Sequence, residues 1–116
     1  MHELSITTKL LNSALSTLEQ NHGSRIFSIN LEIGAMNDCE DKWLFKYWDQ
    51  LTEGTAAKGA ALNITHKPFV FKCKNCGFEF EFDPKTTVNC FCTMCQSSEL
   101  TMISGRQFDI TSMEIE

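Results

Sequence analysis

Cys73-Lys74-Asn75-Cys76-Gly77, then Phe78-Glu79-Phe80-Glu81-Phe82-Asp83-Pro84, then Cys90-Phe91-Cys92-Thr93-Met94-Cys95 is the stretch that breaks an otherwise ordinary pattern of helices and strands. Two residues between Cys73 and Cys76 let both sulfurs converge on one ion, and Gly77 permits the backbone to turn beneath it. Cys92 and Cys95 repeat that gap, and Cys90 is one cysteine too many; pairing Cys90 with Cys95 is the alternative. Phe78 to Phe82 alternate at strand period, and Asp83-Pro84 reads as a turn. A hairpin that joins two such knuckles, with Phe78, Phe80 and Phe82 as its small apolar face, is the pattern of a zinc ribbon. The expected ligands are Cys73, Cys76, Cys92 and Cys95, with Cys90 as the alternative third sulfur. Four thiolates fill a tetrahedral shell and leave no open position, so this zinc is read as structural.

Upstream of the cysteines, Leu4, Leu11, Leu15 and Leu18 fall on one helical face, with Leu10 and Ala14 beside them. His22-Gly23 supplies the stop, Gly23 being suited to a left-handed position after a helix. Phe27, Ile29, Leu31 and Ile33 alternate with polar residues and predict a half-buried strand that closes at Gly34. Asn37-Asp38 offers an N-cap for a second helix carrying Trp43, Leu44, Tyr47, Trp48 and Leu51, up to Gly54. Ala60, Leu62 and Ile64 predict a second strand that ends before Pro68. The last strand alternates through Phe108 and Ile110, and its apolar phase then jumps to Met113 and Ile115, which predicts a bulge or strong twist near Thr111-Ser112. The fold class is therefore α+β: two helices packed on a three-stranded β-sheet, with an inserted zinc-ribbon module. Residues 1–68 with 104–116 form the α/β body, and 69–103 form the insert.

Composition narrows the function classes. A chain of 116 residues with 42% hydrophobic and 22% charged side chains carries a real core. Its longest apolar runs fall far short of the ~18 residues needed to span a membrane. Met1-His2-Glu3-Leu4 has no basic lead into an apolar run, so no secretory signal is expected and the protein is placed in the cytoplasm. In that compartment thiols stay reduced, and six cysteines, five of them between residues 73 and 95, read as metal ligands rather than disulfides. The net charge of −5 becomes about −7 once four thiolates and a divalent ion are added, which argues against nucleic-acid binding. No Ser/His/Asp set, phosphate loop or carboxylate pair has a spacing that compels an enzymatic reading.

At the amino end, His2 sets a metal-binding imidazole beside the backbone nitrogens of residues 2 and 3, with Met1 expected to stay ahead of it. A tetragonal all-nitrogen site of this kind suits Ni(II) or Cu(II), and Glu3 adds an outer carboxylate. Met1-His2-Glu3-Leu4-Ser5, Leu31-Glu32-Ile33-Gly34-Ala35, the segment from Gly54 through Gly59-Ala60 to Ile64, the two Cys-x-x-Cys knuckles and the closing Met113-Glu114-Ile115-Glu116 occur in one order. Together they make the chain similar, end to end, to the HypA/HybF family of nickel-insertion accessory proteins for nickel–iron hydrogenase maturation.

The resemblance implies a nickel metallochaperone with nickel on His2 and Glu3 and a structural zinc on the cysteines. It also implies a partner GTPase, the hydrogenase large subunit as recipient, and in some organisms urease maturation proteins. The chain departs from the family in two ways. Fifteen residues separate Cys76 from Cys92 whereas thirteen separate Cys76 from Cys90, which is nearer the family's spacing, and Thr93 stands where a proline is common. By its distance past Gly34, Glu40 is the candidate outer nickel ligand, with Asp38 and Asp41 as equals by charge. Cys39 reads as a small half-buried residue, His66 as a strand-end residue, and Trp43, Tyr47 and Trp48 as core. The competing function is a zinc-ribbon adaptor that docks a protein partner without nickel.

Overall fold

A computed structural model describes residues 2–83 and 90–116, the side chain of His2 excepted. The elements follow in the order α1 (His2–Gln20), β1 (Ile26–Gly34), a single 3-10 turn (Ala35–Asn37), α2 (Asp41–Leu51), β2 (Ala61–Lys67), β3 (Phe69–Cys73), β4 (Glu79–Phe82), β5 (Leu100–Ser104) and β6 (Phe108–Ile115). They form two three-stranded sheets, ordered β2-β1-β6 and β4-β3-β5. The chain divides into two compact units: Met1–Glu32 with Cys39–Thr65 and Asp109–Glu116, and Ile33–Asp38 with His66–Phe108. No helix among the described residues is long and apolar enough to cross a membrane.

The first unit holds both helices and most of the β2-β1-β6 sheet. Leu10, Leu11, Ala14 and Leu18 of α1, Leu44 and Trp48 of α2, Ile29 and Leu31 of β1, and Leu62 of β2 are all buried. Fully burying each large side chain among them contributes roughly 1.5–3 kcal/mol. Leu4 does not join them and is 44% exposed. Thr7 in the same stretch of α1 is fully buried, whereas Leu4 lies toward the polar side of the helix with Ser5, Thr8 and Asn12. Two hydroxyls inside this core are satisfied locally, Thr7 donating to Glu3 O (2.6 Å) and Thr52 to Trp48 O (2.7 Å). The Trp48 indole N–H donates to Ala60 O at 3.1 Å. Of the three aromatics read as core, only Trp48 is buried; Trp43 and Tyr47 are half-buried and stack on each other at 6.2 Å.

Strand β1 corrects the expected alternation at its start, because Ile26 is buried and Phe27 is 41% exposed beneath the Arg25 guanidinium. Glu116 bonds two successive residues here, accepting from Ser24 N and donating to Arg25 O. On β6 the expected slip is present: burial alternates through Phe108 and Ile110, Thr111 and Ser112 are both exposed, and alternation resumes at Met113. The cap of α2 is also corrected. Glu40, not Asn37 or Asp38, holds the N-cap position, without a side-chain cap bond. Asp38 instead takes a left-handed backbone (φ 42°) that ends the 3-10 turn, and the Asn37 amide donates to Gln107 O at 2.9 Å.

In the second unit the sequence reading missed β3 and β5. The first knuckle is itself the turn of the β3–β4 hairpin, in register Phe69↔Phe82, Phe71↔Phe80 and Lys72↔Glu79. The hairpin expected to join the two knuckles is therefore a hairpin closed by one of them, and the anticipated Asp83-Pro84 turn lies outside the described residues at Pro84. Strand β5 pairs on the other side of β3, Cys73↔Leu100 and Phe71↔Met102, with Ile103 as an extra bulged residue before Val70↔Ser104. Phe71 gathers the rings of Phe69, Phe80 and Phe82, while Phe78 stacks on Phe80.

Candidate metal centre

The two knuckles are built alike. In the first, Cys73 N donates to Phe78 O (2.9 Å) and Gly77 N to Cys73 O (2.9 Å). In the second, Cys92 N donates to Ser97 O (2.9 Å) and Gln96 N to Cys92 O (2.8 Å). The residue after the second cysteine is left-handed in both, Gly77 at φ 81° and Gln96 at φ 62°. Cys73 ends β3, and Lys74 N donates to Glu99 O (2.8 Å), so each knuckle is anchored to a strand.

This arrangement brings together Cys73, Cys76, Cys92 and Cys95, whose sulfurs all lie within 4.8 Å of one another. Sγ of Cys73 is 3.6 Å from Sγ of Cys95, and Sγ of Cys76 is 3.5 Å from Sγ of Cys92. These are not disulfides, which need about 2.05 Å. A tetrahedral ion with ~2.3 Å metal–sulfur bonds sets its ligands about 3.8 Å apart, so the cage fits zinc nearly as it stands. Cys73 and Cys92 are buried, and Cys76 and Cys95 face outward.

The electrostatics ask for a cation. The Cys76 backbone N–H pointing at Sγ of Cys73 (3.4 Å) pulls that thiol below its ordinary range. The Asn75 side-chain N–H does the same for Cys95 from 3.6 Å. Burial pushes the Cys92 thiol up, and the backbone N–H groups of Cys95 and Met94 outweigh it, so the net direction is down. The fourth, Cys76, receives a backbone N–H bond from Phe78 that lowers it, yet its sulfur neighbours, Cys92 foremost, and desolvation prevail and push it up to about 12. Four thiolates cannot share this volume without a positive ion among them.

Cys90 stands apart from the four, half-buried, its thiol pushed up by burial. Among the described residues the four cysteines are the one cluster of metal-ligand type. The nickel candidates are not gathered into another. Glu3 is half-buried in the first turn of α1; Glu40 is exposed, 3.8 Å from the Lys42 ammonium; Asp38 is exposed and Asp41 opens α2. Met1 and the His2 imidazole lie outside the described residues. Cys39 is half-buried and His66 is exposed on β2. Sequence reasoning passed over Asn75 and Gln96, although Gln96 occupies the place that Gly77 marks in the first knuckle.

A family model described as "Hydrogenase/urease nickel incorporation, metallochaperone, hypA" matches residues 1–115. The chain belongs to the HypA family. The hydrogenase maturation factor HypA of Methanocella arvoryzae is 40% identical over 118 residues, covering 100% of this chain and 99% of that one. Its counterpart in Dehalococcoides mccartyi is 34% identical over 116 residues, covering 100% and 95%. In fold, the chain is similar to the solution structure of the Ni metallochaperone HypA from Helicobacter pylori, at TM-score 0.69 and 20% identity over 99% of this chain and 97% of that one. The relatives are hydrogenase maturation factors, and the closed four-sulfur cage of this chain is consistent with a metal such as zinc.

Proposed function

We propose that this HypA chain binds one nickel ion at Met1-His2-Glu3 and passes it on during nickel–iron hydrogenase maturation. Zinc stays on Cys73, Cys76, Cys92 and Cys95 as a structural ion. The observation that carries the reading is that α1 begins at His2. The first four N–H groups of a helix have no carbonyl partner in it, so the nitrogens of residues 2 and 3 are not committed to the helical ladder. A metal that takes those nitrogens with the His2 imidazole breaks no helical hydrogen bond on arrival or departure. Glu3, in the same first turn, supplies an outer carboxylate, and Glu40 is the candidate further ligand. The closed sulfur cage offers no exchangeable position, so cargo traffic needs a second, accessible site. The recipient is the hydrogenase large subunit, served through a nickel-handling GTPase, with urease maturation proteins as further partners.

The test is calorimetric titration of untagged, zinc-loaded protein with nickel. One nickel per chain is expected beside one zinc. His2→Ala should lose nickel binding with fold and zinc unchanged, and Glu3→Gln should weaken it about 10–100-fold. Equal nickel uptake by wild type and His2→Ala would falsify the assignment. Exposed Phe91 (49%) and Met94 (69%) in the second knuckle favour a second reading, an adaptor that docks a protein through its ribbon. That reading predicts no nickel uptake by the zinc-loaded wild-type chain, and partner binding lost on Met94→Asp with the zinc retained.

A further inference from the structure

The second unit, Ile33–Asp38 with His66–Phe108, is fully buried at only two places among its described residues. One is the sulfur cage, through Cys73 and Cys92, each 1% exposed. The other is a backbone joint made by Ile33, Gly34 and Gly105. No phenylalanine of the unit is fully buried, so apolar burial alone is a weak support for a unit of this size.

The joint is built closely. A Cβ on Gly34 would overlap the Gly105 carbonyl and come within 2.7 Å of Gln107 N. Gly105 has φ 127°, and a Cβ there would sit 2.7 Å from the Phe69 ring. Gly34 N donates to Gln107 O (2.7 Å), and Met36 N to Gly105 O (2.8 Å). The Asn37 amide also donates to Gln107 O (2.9 Å). The Gln107 side chain braces the turn, accepting from Gly105 N (2.7 Å) and donating to the Ser104 hydroxyl (2.8 Å). Ser104 ends β5, whose other end faces the ligand Cys73 across the Cys73↔Leu100 pair. One strand thus connects the cage to the joint.

We propose that the joint is a zinc-dependent clamp: with the four cysteines holding zinc, Ile33–Asp38 is fastened to the end of β5, and loss of zinc releases it. The cage ties β3 to the chain entering β5; without it both strands lose the support on which Gly105 and Gln107 are presented. In sequence the clamped segment runs from β1 into Asp38, Cys39 and Glu40, so zinc status sets whether that acidic loop starts from a fixed point. The inference rests on the zinc part of the proposed function and is independent of where nickel binds.

Amide hydrogen exchange on zinc-loaded and chelator-stripped protein tests it, with metal analysis alongside. Stripping should cost the Gly34 and Met36 amides about 100-fold or more in protection, while Leu10 and Ala14 of α1 keep theirs. Gly105→Ala should lose the same protection with zinc still bound at one ion per chain. Asn37→Ala, a milder change, should speed exchange at Met36 several-fold without loss of zinc. Protection at Gly34 and Met36 that survives stripping overturns the clamp, and so does unchanged exchange at Met36 in both variants. A chain that takes up no zinc overturns it together with the zinc reading, and the metal analysis tells that outcome from the others.

Discussion

Among the described residues three that are not glycine, His22, Asp38 and Gln96, hold left-handed backbones where a glycine would be at ease. His22 sits at φ 56° just past α1, with its N–H bonded to Glu19 O and that of Gly23 bonded to Leu18 O. This is a Schellman close with His22, not Gly23, in the left-handed position. Gly23 is small for a different reason, since a Cβ there would overlap Leu18 and approach Ile115 to 3.1 Å. Left-handed strain in an L-residue costs about 1–2 kcal/mol, partly offset by the greater chain entropy of glycine. His22→Gly should therefore raise stability by about 0.5–1 kcal/mol, visible as a rise of a few degrees in Tm by calorimetry. The His22-Gly23 stop was legible in the sequence. Which of the two turns left-handed was not, because the answer depends on Leu18 and Ile115, distant in the chain or on another turn of it.

The knuckles could be read as elements because two-residue gaps fix a local geometry by themselves. The same gap chose Cys92 over Cys90, with Cys90 left as the alternative. Spacing to the first pair favours neither decisively, whereas in the folded chain Cys92 N bonds Ser97 O and its sulfur lies 3.5 Å from that of Cys76. Cys73→Ser should release the zinc and unfold the β4-β3-β5 sheet, since the site's binding free energy is also folding free energy. Cys90→Ser should keep one zinc per chain; metal analysis and far-UV circular dichroism read both. Strands β3 and β5 escaped because each has only five residues. Such runs carry too few alternations to declare a period, and they become strands by pairing across a separation of about thirty residues, which no local window contains.

Across the whole molecule the acidity is one-sided. Ten acidic and five basic residues fall in the first unit, against five of each in the second. Within the β3–β4 hairpin Lys72 lies directly opposite Glu79. Both tryptophans, Trp43 and Trp48, lie in the first unit, where Trp48 is held by Leu44-side packing and its bond to Ala60. Chelating zinc should therefore leave tryptophan emission nearly unshifted while the ribbon unfolds; a red shift of ~10 nm or more would mean that the apolar core of the body depends on the metal. By itself the sequence determined the local terms: helical and strand periods, a phase slip on β6, two knuckles and a nitrogen-rich amino end, all set by neighbours a few residues apart. Tertiary structure alone decided which face Phe27 takes and that Gly34 must admit Gly105. Each of those depends on atoms brought together from distant parts of the chain, and excluded volume and burial act only once they meet.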